Sequence, residues 1–266
     1  MKFIYNGQSS DEFNVMIATI GMPEERQNLG MSREIVRNRP INSATDIIYG
    51  SYYNDNRKFP ITLVKKDGSR FTNNDIRQLN AWLIGYNYPK KLELDSDVLE
   101  VENTYYNCLF TSAATINASG VIALTYEVVC DAPYGWEDFC EIYEINTEDP
   151  KQATTITFYN TSDEIEDYLY PSVKITKIGD GNIEISYSDN TIDNVILKDL
   201  VDGEVVTIDN LRQIISSTKQ TFTNTLGGYD NFNHKWLRLL HGDNILNVYG
   251  NCILEISGKY VRKVGI

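Results

Sequence analysis

Histidine is nearly absent from the sequence: His234 and His241 are the only two in 266 residues. Acid–base chemistry would therefore fall to carboxylates, and neither Gly-x-Ser-x-Gly nor His-Glu-x-x-His occurs to place a nucleophile or a metal beside a base. Cysteine is also scarce. Cys108, Cys130, Cys140 and Cys252 include no Cys-x-x-Cys pair, so they read as reduced thiols, mostly small core residues. His234, His241 and Cys252 are nominally three zinc ligands, but their spacing is looser than in structural zinc sites, and both histidines read as surface or turn residues. Long apolar runs are missing too. Stretches such as Ile116–Thr125 are too short to span a bilayer, and Met1–Tyr5 leads into Asn6-Gly7 with no apolar signal segment, which predicts synthesis in a cytoplasm.

Positive charge is in deficit, with 24 basic against 37 acidic residues and a net charge of −13. Such a surface repels polyanions, and the densest basic runs, Lys65-Lys66, Lys90-Lys91 and Lys259–Lys263, are too short for a phosphate-binding stripe. Only seven prolines and a hydrophobic share of 42% put the chain among folded globular proteins rather than disordered ones.

The length favours two domains of ordinary size. In the first half, Lys2–Tyr5 before an Asn-Gly turn, Arg57–Lys65, Lys91–Leu94, Tyr105–Ser112 and Val121–Cys130 have strand composition. One helix is predicted over Asp75–Ile84, with Thr72 or Asn73 as its cap, Gly85 after its end, and Trp82 on its core face. Composition turns polar at Asn146–Ala153, so the expected division is 1–138, a linker over 139–153, and 154–266. Strands are then expected at Thr155–Tyr159, Pro171–Ile178, Ile183–Ser188, Thr191–Leu197, Glu204–Ile208, Ile214–Ser216, Lys235–Leu240, Ile245–Tyr249 and Cys252–Ser257. Turn residues between them, including His241-Gly242-Asp243-Asn244, predict an antiparallel sandwich or jelly roll. The tail "KYVRKVGI" reads as a further strand. No helix follows the glycines of "KIGDGNIEI", so they read as a hairpin turn rather than a phosphate loop, and Asp189, Asn190, Asp193 and Asp199 lack the alternation of a calcium loop.

Two chemistries remain open to the residues alone. Asp131, Glu137 and Asp138 around Trp136, or Glu164, Glu166 and Asp167 near Tyr168, would make a glycosidase pair if the fold held two at the required separation. Alternatively, Trp136, Trp236, Tyr52, Tyr53, Tyr105, Tyr106, Tyr229 and Phe232 are candidates for stacking on sugars, against a plainer role in cross-strand pairs or at a subunit contact. The stretch "DAPYGWED" (131–138) carries features of both and reads as a stop after a strand, with Tyr134 and Trp136 closing the first domain.

Several segments in sequence order resemble the distal tail proteins of long-tailed bacteriophages of Gram-positive bacteria, and the related proteins of phage-tail-like bacteriocins. They are "FIYNGQSSDEFNV", "FPITLVKKDGSRFTNNDIRQLNAWL", "YEVVCDAPYGWED", "DYLYPSVKIT", "KDLVDGEVVTID" and "FNHKWLRLLHGDNILNVYGNCILEI". The resemblance implies a mainly β chain: an N-terminal belt domain, a β-sandwich or split barrel with one packed helix, and a C-terminal galectin-like antiparallel sandwich. It implies a structural, non-enzymatic virion protein without cofactor, metal or catalytic residues. It further implies a homo-hexameric ring at the tail tip that joins the tail tube protein to the tail-associated hub and receptor-binding protein, with genome DNA passing unbound and no membrane partner. The alternative that stays open is a lectin-like module assisting attachment to the host surface.

Overall fold

The computed structural model describes residues 1–20, 33–94, 103–188, 194–219 and 231–263. The chain forms two compact units, Met1–Glu137 with Arg262–Ile266, and Asp138–Val261. Almost all regular structure is antiparallel β, as the composition predicts, and the described residues contain one α-helix.

The first unit contains β1 (Phe3–Tyr5), β2 (Gln8–Ser9), β3 (Val15–Ile20), β4 (Arg33–Asn38), β5 (Ile47–Tyr53), β6 (Lys58–Lys65), α1 (Asn73–Leu83), β7 (Lys90–Leu94), β8 (Tyr105–Asn117), β9 (Val121–Cys130) and the start of β10 (Gly135–Ile145). Strands β3, β6, β9, β8, β7 and β1 are neighbours in that order. The Ile17 N–H donates to the Met1 carbonyl at 2.8 Å, so the β3 edge returns to the strand that opens the chain and the sheet closes as a barrel. Alternation explains the lining: in β6 the buried Phe59, Ile61 and Leu63 are every second residue.

Helix α1 starts where Thr72 and Asp75 form a reciprocal capping box, two residues earlier than the apolar spacing suggests. It buries Leu79, Trp82 and Leu83 in the barrel core. Trp82 stacks on Phe13 (centroids 4.3 Å apart) and Phe3 (5.4 Å), and its indole N–H reaches the Tyr5 carbonyl. Core packing is thus the role of Trp82.

The second unit continues with the rest of β10, then β11 (Thr154–Asn160), β12 (Ser172–Lys177), β13 (Gly181–Tyr187), β14 (Val195–Leu200), β15 (Val205–Asp209), β16 (Ile214–Ser217), β17 (Gly242–Tyr249) and most of β18 (Cys252–Arg262). One sheet runs β16-β15-β12-β18-β10 and the other β11-β17-β13-β14. Val173, Ile175, Val206 and Leu254 of the first share one core with Phe158, Ile185, Leu197 and Val248 of the second, which makes the unit a sandwich. Gly250 turns β17 into β18 at φ +89°, and a Cβ there would lie 2.3 Å from the Asn182 carbonyl oxygen.

Four expectations are corrected. Residues 139–145 are strand rather than linker, because they pair beside β18; only 146–153 is the polar connection, held where Asn251 bonds Thr147 through both its amide groups. Lys235–Leu240 is not a strand, and only Leu239 bridges, to Leu169. The expected turn at 241–244 is instead the start of β17, since the Asn244 side chain satisfies both the amide and the carbonyl of Leu240 and makes the corner one residue wide. The tail joins β18 through Arg262, while Thr191, Asp193, Asp189-Asn190, Gly227-Gly228 and Tyr229 fall outside the described residues.

Candidate assembly surfaces

Strands β4 and β5 pair with each other and, among the described residues, with no other strand. All six residues of β4 are exposed, as are six of the seven in β5. The exposed side chains are large and apolar: Ile35, Val36, Ile47, Tyr52, Ile48 (65%) and Tyr49 (64%), with Ile41 at the tip 93% exposed. Arg37 and Arg39 both pair with Asp46 (3.1 and 2.5 Å), and Arg33 lies over the Tyr53 ring at 4.7 Å, so polar contacts hold the hairpin's shape. A two-stranded hairpin is marginal in water, and exposed apolar side chains in this number are what a contact with another protein would cover.

A second open surface lies on β8. Beyond Phe110 the strand pairs with β9 on one edge, and no described strand pairs with the other. That edge, Thr111–Asn117, is exposed throughout and reads Thr-Ser-Ala-Ala-Thr-Ile-Asn. It has no lysine, proline or charge of the kind that blunts solitary edges, so its backbone groups are a template for a strand from another chain.

The stretch 131–138 does stop a strand: β9 ends at Cys130, residues 131–134 are not strand, and β10 begins at Gly135. Cys130 of β9 stands opposite Cys108 of β8, and Trp136 of β10 stands opposite Tyr105. Between these two pairs five residues of one line (131–135) stand against two of the other (106 and 107), and the chain resumes along the same edge after a bulge. The bulge is held by side chains. Tyr134 sets its ring edge-on to Tyr53 and Trp136. The Asp131 carboxylate accepts from Asn107 Nδ2 at 3.1 Å and from Trp136 Nε1 at 3.3 Å. Gly135 is required by close approach, because a Cβ there would meet the Thr104 methyl at 2.8 Å. Glu137 accepts from Arg262 Nε at 2.5 Å, joining the two points at which the chain leaves and re-enters the first unit.

Two consecutive family models match the chain: the phage tail protein N-terminal domain over residues 1–132 and the phage tail C-terminal domain over residues 134–258. The chain belongs to this phage tail protein family. The junction of the two models falls inside the bulge at 131–134. Among solved structures, seven chains match; one is SPP1 Dit, titled a paradigm of the hub adsorption apparatus in phages infecting Gram-positive bacteria. It aligns over 97% of this chain and 98% of its own at a TM-score of 0.68 and 10% identity, so the phage tail protein has a Dit-like fold. A search of curated proteins gives no match.

Some of the residues singled out for chemistry take part in structural contacts in the phage tail protein. Asp131 and Glu137 are engaged in the bulge, while Glu164, Glu166 and Asp167 lie in the second unit on the loop before Tyr168. Asp138 is exposed on β10. His241 Nδ1 lies 2.8 Å from the Ser162 carbonyl, His234 is exposed at φ +56°, and Cys252 is wholly buried. Among the described residues no three His, Cys, Asp or Glu side chains converge. Tyr105, Tyr106 and Phe232 are buried, Trp236 packs edge-on to Phe232, and Tyr53 is half-buried, which among the described residues leaves Tyr52 as the candidate ring that is largely open.

Sequence reasoning missed the two open surfaces. The hairpin strands carry Gly50 and mixed charge that obscure their alternation, and an unpaired edge is a property of neighbours, not of composition. It also missed an outward cluster in the second unit, where the Leu169–Leu239 bridge turns Tyr168, Tyr170, Arg238 and Leu240 away from the core and sets Arg238 over the Tyr168 ring at 4.5 Å.

Proposed function

We propose that this phage tail protein is a virion component that forms a homo-hexameric ring at the distal end of the tail, joining the tail tube to the hub and the receptor-binding apparatus. The observation that carries the reading is the Dit-like fold over 97% of the chain. Two features support it. The β4–β5 hairpin and the Thr111–Asn117 edge are surfaces that a neighbouring subunit would cover, and different surfaces meeting head to tail are what a closed ring requires. The net charge of −13 suits a channel that lets DNA pass without capture. The protein's role on this reading is structural and non-enzymatic, with the first unit as belt and the second as the peripheral sandwich.

Mass measurement by light scattering, followed by electron-microscope class averages, tests this directly. Six-fold rings, alone or on tube and hub proteins, are expected; a protein that stays monomeric with both partners present overturns the proposal.

A second reading, a carbohydrate-binding sandwich that assists attachment, is favoured by the outward Tyr168 and Tyr170, with Arg238 over the Tyr168 ring. A glycan array probed with the intact protein tests it, and no binding by the parent removes it.

A further inference from the structure

Cys108 and Cys130 lie 22 residues apart in sequence and directly opposite one another on adjacent antiparallel strands. The Asp131 N–H donates to the Asn107 carbonyl at 2.8 Å, just outside the pair, and the Cys130 N–H donates across the other edge of β9 to Arg57. Cys108 and Cys130 are therefore a non-hydrogen-bonded pair, the kind in which Cα atoms approach to about 4.5 Å and side chains are nearest. That spacing falls inside the range a disulfide spans. Directly opposed side chains share a face, and both thiols are buried in the barrel core. Neither is bonded in this state.

We infer that Cys108 and Cys130 are a redox pair that closes into a cross-strand disulfide under a disulfide oxidant such as oxidised glutathione, locking β8 to β9 at the bulge. The surroundings assign the roles. The buried Arg57, whose guanidinium lies over the Tyr106 ring at 5.7 Å, exerts a positive field on Cys130 that favours its thiolate, while Asp131 opposes ionisation of both thiols. Cys130 is therefore the attacking group. Its thiolate displaces one glutathione thiolate from the oxidant and forms a mixed disulfide. The Cys108 thiolate then attacks the Cys130 sulfur and expels the second glutathione thiolate. Two protein thiols are oxidised, one glutathione disulfide is reduced to two thiols, and the two protons pass to the leaving thiolates. Burial pushes the Cys108 thiol above its ordinary range and the Cys130 thiol up to about 12, so the closure is slow and needs local opening of the bulge.

The test uses the full chain with the exposed Cys140 replaced (Cys140→Ser), so that no cross-link arises between molecules. One sample is oxidised when folded and another while refolding from denaturant with oxidised glutathione. Both are then unfolded, alkylated and mapped by mass spectrometry. The expected result is one intramolecular cross-link joining the Cys108 and Cys130 peptides, Cys252 still alkylated, and reversal by dithiothreitol. The cross-linked protein should melt about 5 °C or more above its reduced form. Adding Cys130→Ala should abolish the cross-link. Alkylation of both Cys108 and Cys130 after refolding in oxidant, or a cross-linked form that melts below the reduced one, overturns the inference.

Discussion

Trp136 donates its indole N–H to the carboxylate of Asp131, five residues earlier, across the bulge that separates β9 from β10. The same carboxylate takes a second bond from Asn107 on β8, so an acid that reads as a candidate catalyst is a clasp between three strands. Asp131→Ala is expected to destabilise the protein by about 1–2 kcal/mol through the two lost bonds, seen as a lower Tm. Asp131→Asn should recover part of that loss, because an amide oxygen still accepts. A substitution that left Tm unchanged would show that the bulge holds without its clasp.

The hairpin β4–β5 yields the most direct assembly test. Ile48→Asp and Tyr49→Asp place charge on exposed positions, so the Tm of the isolated chain should move by no more than about 0.5 kcal/mol equivalent. Ring formation should fall sharply, read as loss of the high-mass species in light scattering. Rings that persist in the double variant would take the hairpin out of the subunit contact.

Acid should loosen the first unit through the start of α1. The Lys65 ammonium, bonded to Asp75 at 2.6 Å, and the Thr72 amide hold the Asp75 carboxyl at about 2, well below its ordinary value. A depressed carboxyl contributes stability that is full above its unfolded value, near 4, and is lost as pH falls through the folded one. The stability difference between parent and Asp75→Asn, on the order of 1 kcal/mol at pH 7, should therefore shrink between about pH 4 and pH 2. Denaturant melts across that range would show it.

Two substitutions, one in a core and one at a turn, separate the units. Trp82→Ala removes a ring stacked between Phe3 and Phe13 and should cost about 3–5 kcal/mol. Gly250→Ala forces a side chain into the Asn182 carbonyl at positive φ and should cost on the order of 3 kcal/mol. Because the first lies in the core of one unit and the second at a turn of the other, limited proteolysis should release the opposite unit intact in each case.

The legible parts of the fold are those decided within a few residues. Thr72 and Asp75 set the helix start by bonding each other, and the alternation of Phe59, Ile61 and Leu63 sets the buried face of β6. The stretch 139–145 is hard to read as strand, because Glu141 interrupts the core-facing series Phe139, Tyr143 and Ile145 while the apolar Ile142 points outward. Lys235–Leu240 failed in the opposite sense: its composition suits a strand, but Asn210 and Asn233 side chains take the backbone bonds a partner would have taken.

From composition and pattern alone come the acidic β-rich class and a capped helix over the stretch that holds Trp82. Tertiary structure decided the rest. It turned Asp131 and Glu137 into structural partners of Trp136 and Arg262, brought Cys108 opposite Cys130, and left one edge of Thr111–Asn117 without a described strand beside it. The physical reason is range. Caps, turns and periodicity act across three or four residues, whereas the pairing of Glu137 with Arg262 spans 125 and follows from how the strands register around a shared core.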